Sequence, residues 1–436
     1  MERTINLAKK HSDQVELYSL EQTQNTARYE DKKLKDVQSS MLSGTSIRLI
    51  KNHKLGFAYT RSLDNPEVLV QNAVESLRGG VAVKFDFPLT KNVPILNSYD
   101  RAINQTTNTV IAEECRRISS FLGQKAKGQV NLRAGTTISK IKIVNTAGTD
   151  LSTSTSYYSV TVMILYPGSA TGIHRLFLFK NFHTVDDLDL SMLAELYNRS
   201  EKESITSGGR MKVLFMPEAM YALIWRLQSA TSGESIYHKQ SPLADRLSEK
   251  IFSEKLTIVD DPLDDRKPGA RTFDDEGVAC KRSVIIDKGV LKNYYYDLNY
   301  AAKLNVVSSG HGFKASRWAG DALSIKPSPA LQYVTLERGK RTFSQLIHDM
   351  NRGIIVCGAL GAHSGNIPNG DFSIGLSPGL YVENGEIVGR LKDTMIAGNI
   401  YEVMKRVIDI EDTLHPAYTG YYPAVLFDDV NVATKS

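Results

Sequence analysis

The nine histidines are the first candidates for catalysis or metal binding, and they are widely spaced. They are His11, His53, His174, His183, His238, His311, His348, His363 and His415. A helical zinc-peptidase motif needs two imidazoles one turn apart, so that both reach one ion, with a carboxylate beside them as the base. No two of these histidines have that spacing, and Cys115, Cys280 and Cys357 form no CxxC pair. We therefore predict neither a local metal site nor a disulfide framework.

The acidic stretch 260–276 is a second group that could bind a cation. Its acidic residues are Asp260, Asp261, Asp264, Asp265, Asp274, Asp275 and Glu276. They lack the D-x-[DN]-x-[DN]-G order of a calcium loop, and the two prolines and the glycine at 262, 268 and 269 are typical of turns. We interpret the stretch as a solvated connection. A P-loop and a GxSxG nucleophile elbow are also absent from the sequence.

Two glycine-rich segments carry the remaining polar residues of interest. One places His311 between Gly310 and Gly312, and the other runs from 358 to 373 and contains His363. Glycine lets a backbone approach a ligand closely, so these segments could line a cleft that holds an extended peptide by strand addition. The alternative interpretation, two tight loops between strands, stays open. Ser364 would point away from His363 in an extended chain, so the two residues do not suggest a catalytic dyad.

Hydrophobic periodicity predicts a mixture of helices and strands without βαβ alternation, so the fold class is α+β. Helices are predicted at 2–11, 64–78, 108–122, 186–203, 217–229 and 399–410, and strands at 45–51, 55–60, 136–144, 156–165, 173–182 and 211–216. Asp64 and Glu67 are assigned as the capping box of the second helix. Two further hairpins, 283–296 and 379–391, are centred on Lys288-Gly289 and Asn384-Gly385, because such turns need positive φ.

Chain length predicts more than one domain. At roughly 150 residues per domain, 436 residues suggest two or three units. Ser207-Gly208-Gly209 interrupts the pattern of helices and strands. We predict an N-terminal α+β region at 1–208, which could divide into about 1–98 and 99–208, and a β-rich C-terminal domain at 209–436.

Composition and charge exclude several classes of protein. Hydrophobic residues at 42% and charged residues at 23% are ordinary for a globular chain and exclude disordered or collagen-like classes. The 53 Lys+Arg and 48 Asp+Glu leave a scattered charge of +5, so we expect no direct nucleic-acid binding. The N-terminus lacks the apolar core of a secretory signal, and no window approaches the roughly 18 apolar residues of a membrane span. We expect a cytoplasmic protein with no membrane partner.

Seven short segments in the second half follow one another in an order found in a known family. They are LTIVDDP at 256–262, DEG at 275–277, GVL at 289–291, SGHG at 309–312, GDFS at 370–373, VENGEI at 382–387 and IAGN at 396–399. This series resembles the TldD/PmbA family, also called modulators of DNA gyrase, across about residues 211–412. The first half resembles the family mainly in its order of strands, hairpin and helix.

The resemblance implies a dimeric cytoplasmic protein with a mixed N-terminal region of antiparallel strands and helices. It also implies a β-rich C-terminal domain with a large antiparallel, barrel-like sheet. In the TldD branch, the helix after the strand at 211–216 carries a zinc-binding HExxxH, and a cysteine near the C-terminus is a further ligand. Here that segment begins Met216-Pro217-Glu218-Ala219, and residues 417–430 contain no cysteine. The chain therefore resembles the PmbA, or TldE, branch.

This branch implies a metal-free, non-catalytic subunit of a TldD/TldE-type zinc-dependent peptidase that acts on small or unfolded polypeptides in the cytosol. The expected partners are a TldD-type zinc-bearing subunit, or a second copy of this chain as a homodimer, together with an extended peptide substrate. We expect no cofactor in this chain, and zinc only in the partner subunit. No residue is assigned as catalytic, and whether the chain is an enzyme by itself is left open.

The candidate peptide-cleft residues combine the glycine-rich segments with the IAGN segment. They are Gly310, His311, Gly312, His363, Asp371, Phe372 and Asn399. Two alternative functions remain open. One is a self-sufficient homodimeric hydrolase that uses the His311 and His363 loops, and the other is a non-enzymatic regulatory binding protein.

Overall fold

The computed structural model describes residues 1–62, 64–315 and 321–434. It contains 21% helix and 39% strand and confirms the α+β fold class. In the described residues, no helix combines the length and the apolar character needed to cross a membrane.

The first half of the chain builds one antiparallel sheet with four helices beside it. Its strands are β1 (Gln14–Glu30), β2 (Lys33–Lys51), β3 (Lys54–Thr60), β4 (Val81–Ala82), β5 (Gln129–Asn145), β6 (Asp150–Leu165) and β7 (Gly172–Phe179). Its helices are α1 (Glu2–Ala8), α2 (Pro66–Ser76), α3 (Asn108–Lys125) and α4 (Asp187–Arg199). The seven strands pair in the order β4-β3-β2-β1-β5-β6-β7.

Helix α3 shows why this sheet is covered on one face. Ile111, Cys115, Ile118 and Leu122 recur at helical spacing and are all fully buried against the sheet. The predicted stripe on this helix is therefore correct. Thr107 accepts a hydrogen bond from the Val110 amide and caps its N-terminus.

The second half of the chain consists mainly of strands. They are β8 (Glu203–Ser204), β9 (Gly209–Phe215), β10 (Ile258–Asp260), β11 (Ser283–Asp287), β12 (Val290–Leu291), β13 (Gly312–Phe313), β14 (Ser328–Pro329), β15 (Val334–Leu336), β16 (Gly353–Val356), β17 (Ala359–Leu360), β18 (Asp371–Leu376), β19 (Gly379–Glu383), β20 (Glu386–Leu391), β21 (Thr394–Asn399), β22 (Val407–Ile410), β23 (His415–Ala417), β24 (Gly420–Tyr422) and β25 (Val425–Thr434). The helices are α5 (Tyr221–Thr231), α6 (Gly233–Tyr237), α7 (Leu298–Leu304), α8 (Phe343–Met350) and α9 (Ile400–Val403).

A ten-stranded sheet organises this half and curls into a half-barrel. Its order is β17-β18-β21-β25-β9-β16-β19-β20-β8, with β22 paired to β25. Most of its pairings are antiparallel, while β9 with β16 and β8 with β20 are parallel. Helix α5 packs in the core beside this sheet, and a six-stranded sheet, β12-β11-β10-β15-β24-β23, adjoins the same core.

Two local predictions are wrong, one about a helix cap and one about where a helix ends. Helix α2 is capped by Asn65, whose side chain accepts from the Val68 amide, and not by Asp64. The helix predicted at 399–410 ends at Val403, and Val407–Ile410 forms β22 against β25. Pairing with β25 satisfies the backbone hydrogen bonds of this segment, so it forms a strand although its apolar residues have helical spacing.

The predicted hairpin 283–296 is also shorter than expected. Its turn at Lys288-Gly289 forms, but the second strand ends at Leu291. The Tyr295 backbone instead exchanges hydrogen bonds with Thr231 and Gly233. This departure places the Tyr295 ring beside α5.

Candidate functional site

The His311 loop, one of the two predicted loops, is buried. His311 is 1% exposed, and its Nδ1 lies 2.8 Å from Ser309 Oγ. Its Nε2 lies 3.3 Å from Asp260 Oδ2 at the end of β10. The Tyr295 ring lies against the imidazole, with 5.6 Å between the ring centroids.

This Ser309–His311–Asp260 arrangement has the residue types of a catalytic triad but not its accessibility. Ser309 Oγ accepts from the Tyr296 amide at 2.7 Å and lies 3.1 Å from the Tyr296 carbonyl. The serine is itself buried. A nucleophile needs an open face for the substrate carbonyl, and this hydroxyl is occupied by the backbone of Tyr296. The arrangement instead holds the loop in place.

The acidic residues at 274–276 are buried, so their interpretation as part of a solvated connection is wrong. Asp274 accepts from the amides of Glu276 and Val278 through Oδ1 and from the Gly312 amide through Oδ2. Asp275 Oδ2 accepts from the Lys314 amide. Both carboxylates therefore clamp the backbone on the C-terminal side of His311. Burial, and then the negative charge of Glu276, raise the pKa of Asp274.

Glu276 joins this clamp to the N-terminal sheet. Its Oε1 accepts from Arg48 Nη1 at 2.7 Å, and its Oε2 accepts from the Leu298 amide at the start of α7. A Cβ on Gly312 would lie 2.2 Å from Glu276 Oε2, so any other residue there would have to displace the Glu276 side chain. The sequence signal that could have revealed the clamp is the Asp-Asp-Glu-Gly turn, in which Asp side chains bind nearby amides.

The second predicted loop is held by a buried arginine that sequence reasoning missed. Arg226, on α5, is 0% exposed. It donates hydrogen bonds to the carbonyls of Ala222 (2.6 Å), Ala362 (3.1 Å), Ser364 (2.7 Å) and Asp371 (2.5 Å). Burial lowers the pKa of Arg226 to about 10. The signal was an arginine within the apolar stripe of a predicted amphipathic helix, a position where a charge needs partners.

The remaining candidate residues lie around this arginine. Phe372 is buried, and its ring centroid is 5.8 Å from the Arg226 guanidinium carbon. Asp371 pairs with Asn399 across β18 and β21, and Asn399 Nδ2 donates to Asp371 Oδ1 at 2.9 Å. His363 is exposed on the loop. The structure thus groups His363, Asp371, Phe372 and Asn399 around Arg226, while Gly310, His311 and Gly312 belong to the buried clamp.

An open cavity of about 390 Å³ lies beside α5. Its described lining residues are Trp225, Gln228, Ser229, Ser232, Glu234, Ser235, Tyr295, Ala315, Ser328, Pro329, Ala330, Leu331, Gln332, Tyr418 and Thr419. The His311 carbonyl accepts from the Ala330 amide, so the buried His311 lies directly behind this wall. None of the seven candidate residues is among those lining this cavity, and their contact with a peptide stays a prediction.

The donor groups in the described residues do not fit a zinc ion. No group of three or more His, Cys, Asp or Glu side chains there is arranged to hold a metal. Glu218, in the segment before α5, is buried and paired with Arg175 at 3.1 Å. The three cysteines are buried, and burial raises the pKa of the Cys357 thiol, which disfavours the thiolate that binds metal.

Comparisons with known proteins agree with this architecture. Residues 208–434, just over half of the chain, match the family described as PmbA/TldA metallopeptidase C-terminal domain, and residues 15–77 match PmbA/TldA metallopeptidase domain 1. An uncharacterized protein of Methanocaldococcus jannaschii is 25% identical over 94% of this chain and 95% of its own length. A metalloprotease of Methanothermobacter thermautotrophicus is 26% identical over 86% and 83%. The crystal structure of TldE from Thermococcus kodakarensis has the same fold, with a TM-score of 0.89 at 23% identity over 99% of both chains.

Proposed function

The chain belongs to the TldD/PmbA family, whose members are metallopeptidase-related, and we propose that it is a metal-free, non-catalytic subunit of a zinc-dependent peptidase. In this proposal it pairs with a TldD-type zinc-bearing subunit in the cytosol and contributes a wall of the chamber that holds a small or unfolded polypeptide.

The observation that carries the proposal is which side chains the segment before α5 offers. In the TldD branch, the resemblance places zinc ligands there. In this chain the segment offers Pro217 and a Glu218 carboxylate that is paired with Arg175. Zinc catalysis needs an ion that polarises the substrate carbonyl and activates a water. Without a set of ligands, the segment is left with a structural role.

A role in binding peptide is supported by the cavity beside α5. Its lining combines aromatic rings, hydroxyls and amides, the mixture typical of sites that hold a polypeptide by side-chain pockets. The cavity lies against α5, in the region that would carry the metal in a catalytic relative. A subunit without ligands can therefore still present a substrate-facing wall.

The proposal is tested on the isolated chain and on a reconstituted pair. The chain is equilibrated with excess zinc and desalted, its metal content is measured, and cleavage of a fluorogenic peptide is followed with and without a TldD-type subunit. We expect no stoichiometric zinc and no cleavage by the chain alone. We also expect a 1:1 complex by analytical ultracentrifugation, with cleavage only by the pair. Stoichiometric zinc, or chelator-sensitive cleavage by the chain alone, would overturn the proposal.

The second candidate is a self-sufficient hydrolase that acts through His311 and His363. The short contacts of the His311 imidazole with Ser309 and Asp260 favour it, and the burial of His311 opposes it. Replacing both histidines by alanine should leave any activity of the isolated chain unchanged if they only hold loops. Loss of activity in a variant that still melts like the wild type would favour the hydrolase.

A further inference from the structure

The described lining of the cavity beside α5 contains a single charged side chain. Among its described lining residues, Glu234 is the only one with an ionisable acid or base of full charge at neutral pH. The rest of the lining is aromatic, apolar or neutral polar. A carboxylate in a concave site sets a negative potential there, because low-dielectric walls focus the field.

The Glu234 carboxylate is held by one hydrogen bond from the protein and keeps a solvent-exposed side. Its Oε1 accepts from the Tyr300 hydroxyl at 3.0 Å. Its side chain is exposed, and it lies in the first turn of α6, just beyond α5. The nearby groups on α7 are Tyr300 itself and Lys303, whose Nζ lies 4.8 Å from the Tyr300 ring centroid. His238 follows the last residue of α6, and its Nε2 lies 3.5 Å from the Tyr300 hydroxyl.

The walls around this carboxylate suit a cation. Trp225 and Tyr418 are aromatic residues of the lining, and Tyr418 is 70% exposed. Aromatic faces attract ammonium and guanidinium groups, most strongly where water is displaced. The hydroxyls of Ser229, Ser232, Ser235 and Ser328 supply neutral acceptors for the remaining donors of such a group.

We propose that this cavity is a specificity pocket for a cationic group of the bound polypeptide, with Glu234 as the residue that selects it. The group is a lysine or arginine side chain or a free α-ammonium, since both present the same charge and donors. This inference rests on the proposed peptide-binding role and adds the chemical class of the residue that enters the cavity.

The expected preference follows from the strength of one charged hydrogen bond. A cation that hydrogen-bonds to the Glu234 carboxylate gains about tenfold in affinity over a neutral isostere, which corresponds to ~1.4 kcal/mol. An acidic side chain at the same position is repelled and binds more weakly than the neutral one. The preference for the cation should shrink as salt rises, because the site is open on one side.

The experiment uses the full chain and blocked hexapeptides that are identical except at one central position. That position carries lysine, norleucine or glutamate, and a fourth peptide carries norleucine with a free N-terminus. Affinities are measured by fluorescence anisotropy. We expect lysine to bind about tenfold more tightly than norleucine, and glutamate to bind most weakly. A tighter affinity for the free-amine peptide than for its blocked counterpart would identify the α-ammonium as the preferred source of the cation.

Variants then separate the pocket from a general charge effect. Glu234→Gln should remove the lysine preference while leaving norleucine binding unchanged, and Glu234→Lys should favour the glutamate peptide. Glu254→Gln is the matched control, because Glu254 is exposed, pairs with Lys250 and does not line the cavity. Melting curves confirm that each variant is folded.

The outcomes distinguish this inference from the function it rests on. Equal binding of all four peptides, or a lysine preference that persists in Glu234→Gln, overturns the specificity pocket but leaves the peptide-binding subunit standing. Binding of no peptide to the folded wild-type chain overturns both.

Discussion

Replacing Arg48 by methionine should destabilise the protein strongly and in a pH-dependent way. Arg48 lies on β2, is 4% exposed, and donates to Glu16 Oε1 and to Glu276 Oε1, each at 2.7–2.8 Å. Both glutamates are buried, and the rings of Phe85 and Phe87 lie 5.9 and 5.2 Å from the guanidinium carbon. Arg48 is therefore the shared cationic partner of two carboxylates that have left water, Glu16 in the N-terminal sheet and Glu276 beside the His311 loop.

The magnitude follows from what methionine leaves behind. Removing one partner of a buried ion pair costs about 3–5 kcal/mol, because the other charge stays buried without compensation. Here two carboxylates lose the same partner, so we expect the upper part of that range near pH 8. Methionine preserves much of the apolar stem, which separates the loss of charge from the loss of packing.

The pH dependence has a definite sign. Burial raises the pKa of Glu16 to about 7, although the charge of Arg48 lowers it. Without Arg48, that pKa rises further above the ordinary value of about 4.5, so the folded variant holds a proton that the unfolded chain has released. The folded wild type and the folded variant both hold this proton up to about pH 7, so the destabilisation caused by the substitution should grow as the pH rises from about 7 towards the higher pKa of the variant. Near pH 5 it should fall to the cost of the lost hydrogen bonds, about 1–2 kcal/mol.

The assay is urea unfolding followed by circular dichroism at pH 5 and pH 8, with the midpoint of the first transition compared between variants. Arg28→Met is the matched control, because Arg28 lies on β1 in the same sheet, is 52% exposed and pairs with the surface residues Glu30 and Asp36. Surface pairs of this kind contribute about 0–1 kcal/mol. Equal, small losses in both variants, or a loss in Arg48→Met that is the same at both pH values, would refute the reasoning.

Three further predictions concern Gly312, Arg226 and Glu16. Gly312→Ala should lower the melting temperature, because its Cβ would meet Glu276 Oε2 at 2.2 Å, whereas Gly79→Ala meets no atom within 4 Å and should be neutral or slightly stabilising. Arg226→Met should lower the free energy of unfolding by about 2–4 kcal/mol, because it leaves buried carbonyls unpaired. It should also speed hydrogen exchange at 362–371, and unchanged exchange there would show that Arg226 does not hold the loop. In the wild type, the part of the stability due to Glu16 should be lost as the pH rises from about 4.5 through about 7. Glu16→Gln has no such group, so its melting temperature should change less across that pH range. Parallel changes in the two proteins would contradict the raised pKa of Glu16.

The local sequence pattern alone was enough to predict the elements that depend on interactions between neighbouring residues. The apolar stripe of α3 and the Asn384-Gly385 hairpin, with strands at 379–383 and 386–391, occur where the sequence predicts them. Helical spacing and turns with positive φ depend on neighbouring residues, so a sequence carries them directly. The α+β class and the family resemblance follow from the order of such elements and segments, and both are confirmed.

Only the tertiary structure decided which polar residues leave water. Glu276 reads as a solvated acid in a turn, and it is buried because Arg48 reaches it from 228 residues away. Arg226 reads as an interruption of an apolar stripe, and it is buried because the loop at 362–371 supplies carbonyls around it. A buried charge is tolerated only where its partners arrive, and no local pattern specifies partners that come from distant strands. The placement of His311 behind the cavity wall, and of Glu234 within its lining, was settled in the same way by the packing of α5 against chain segments far apart in sequence.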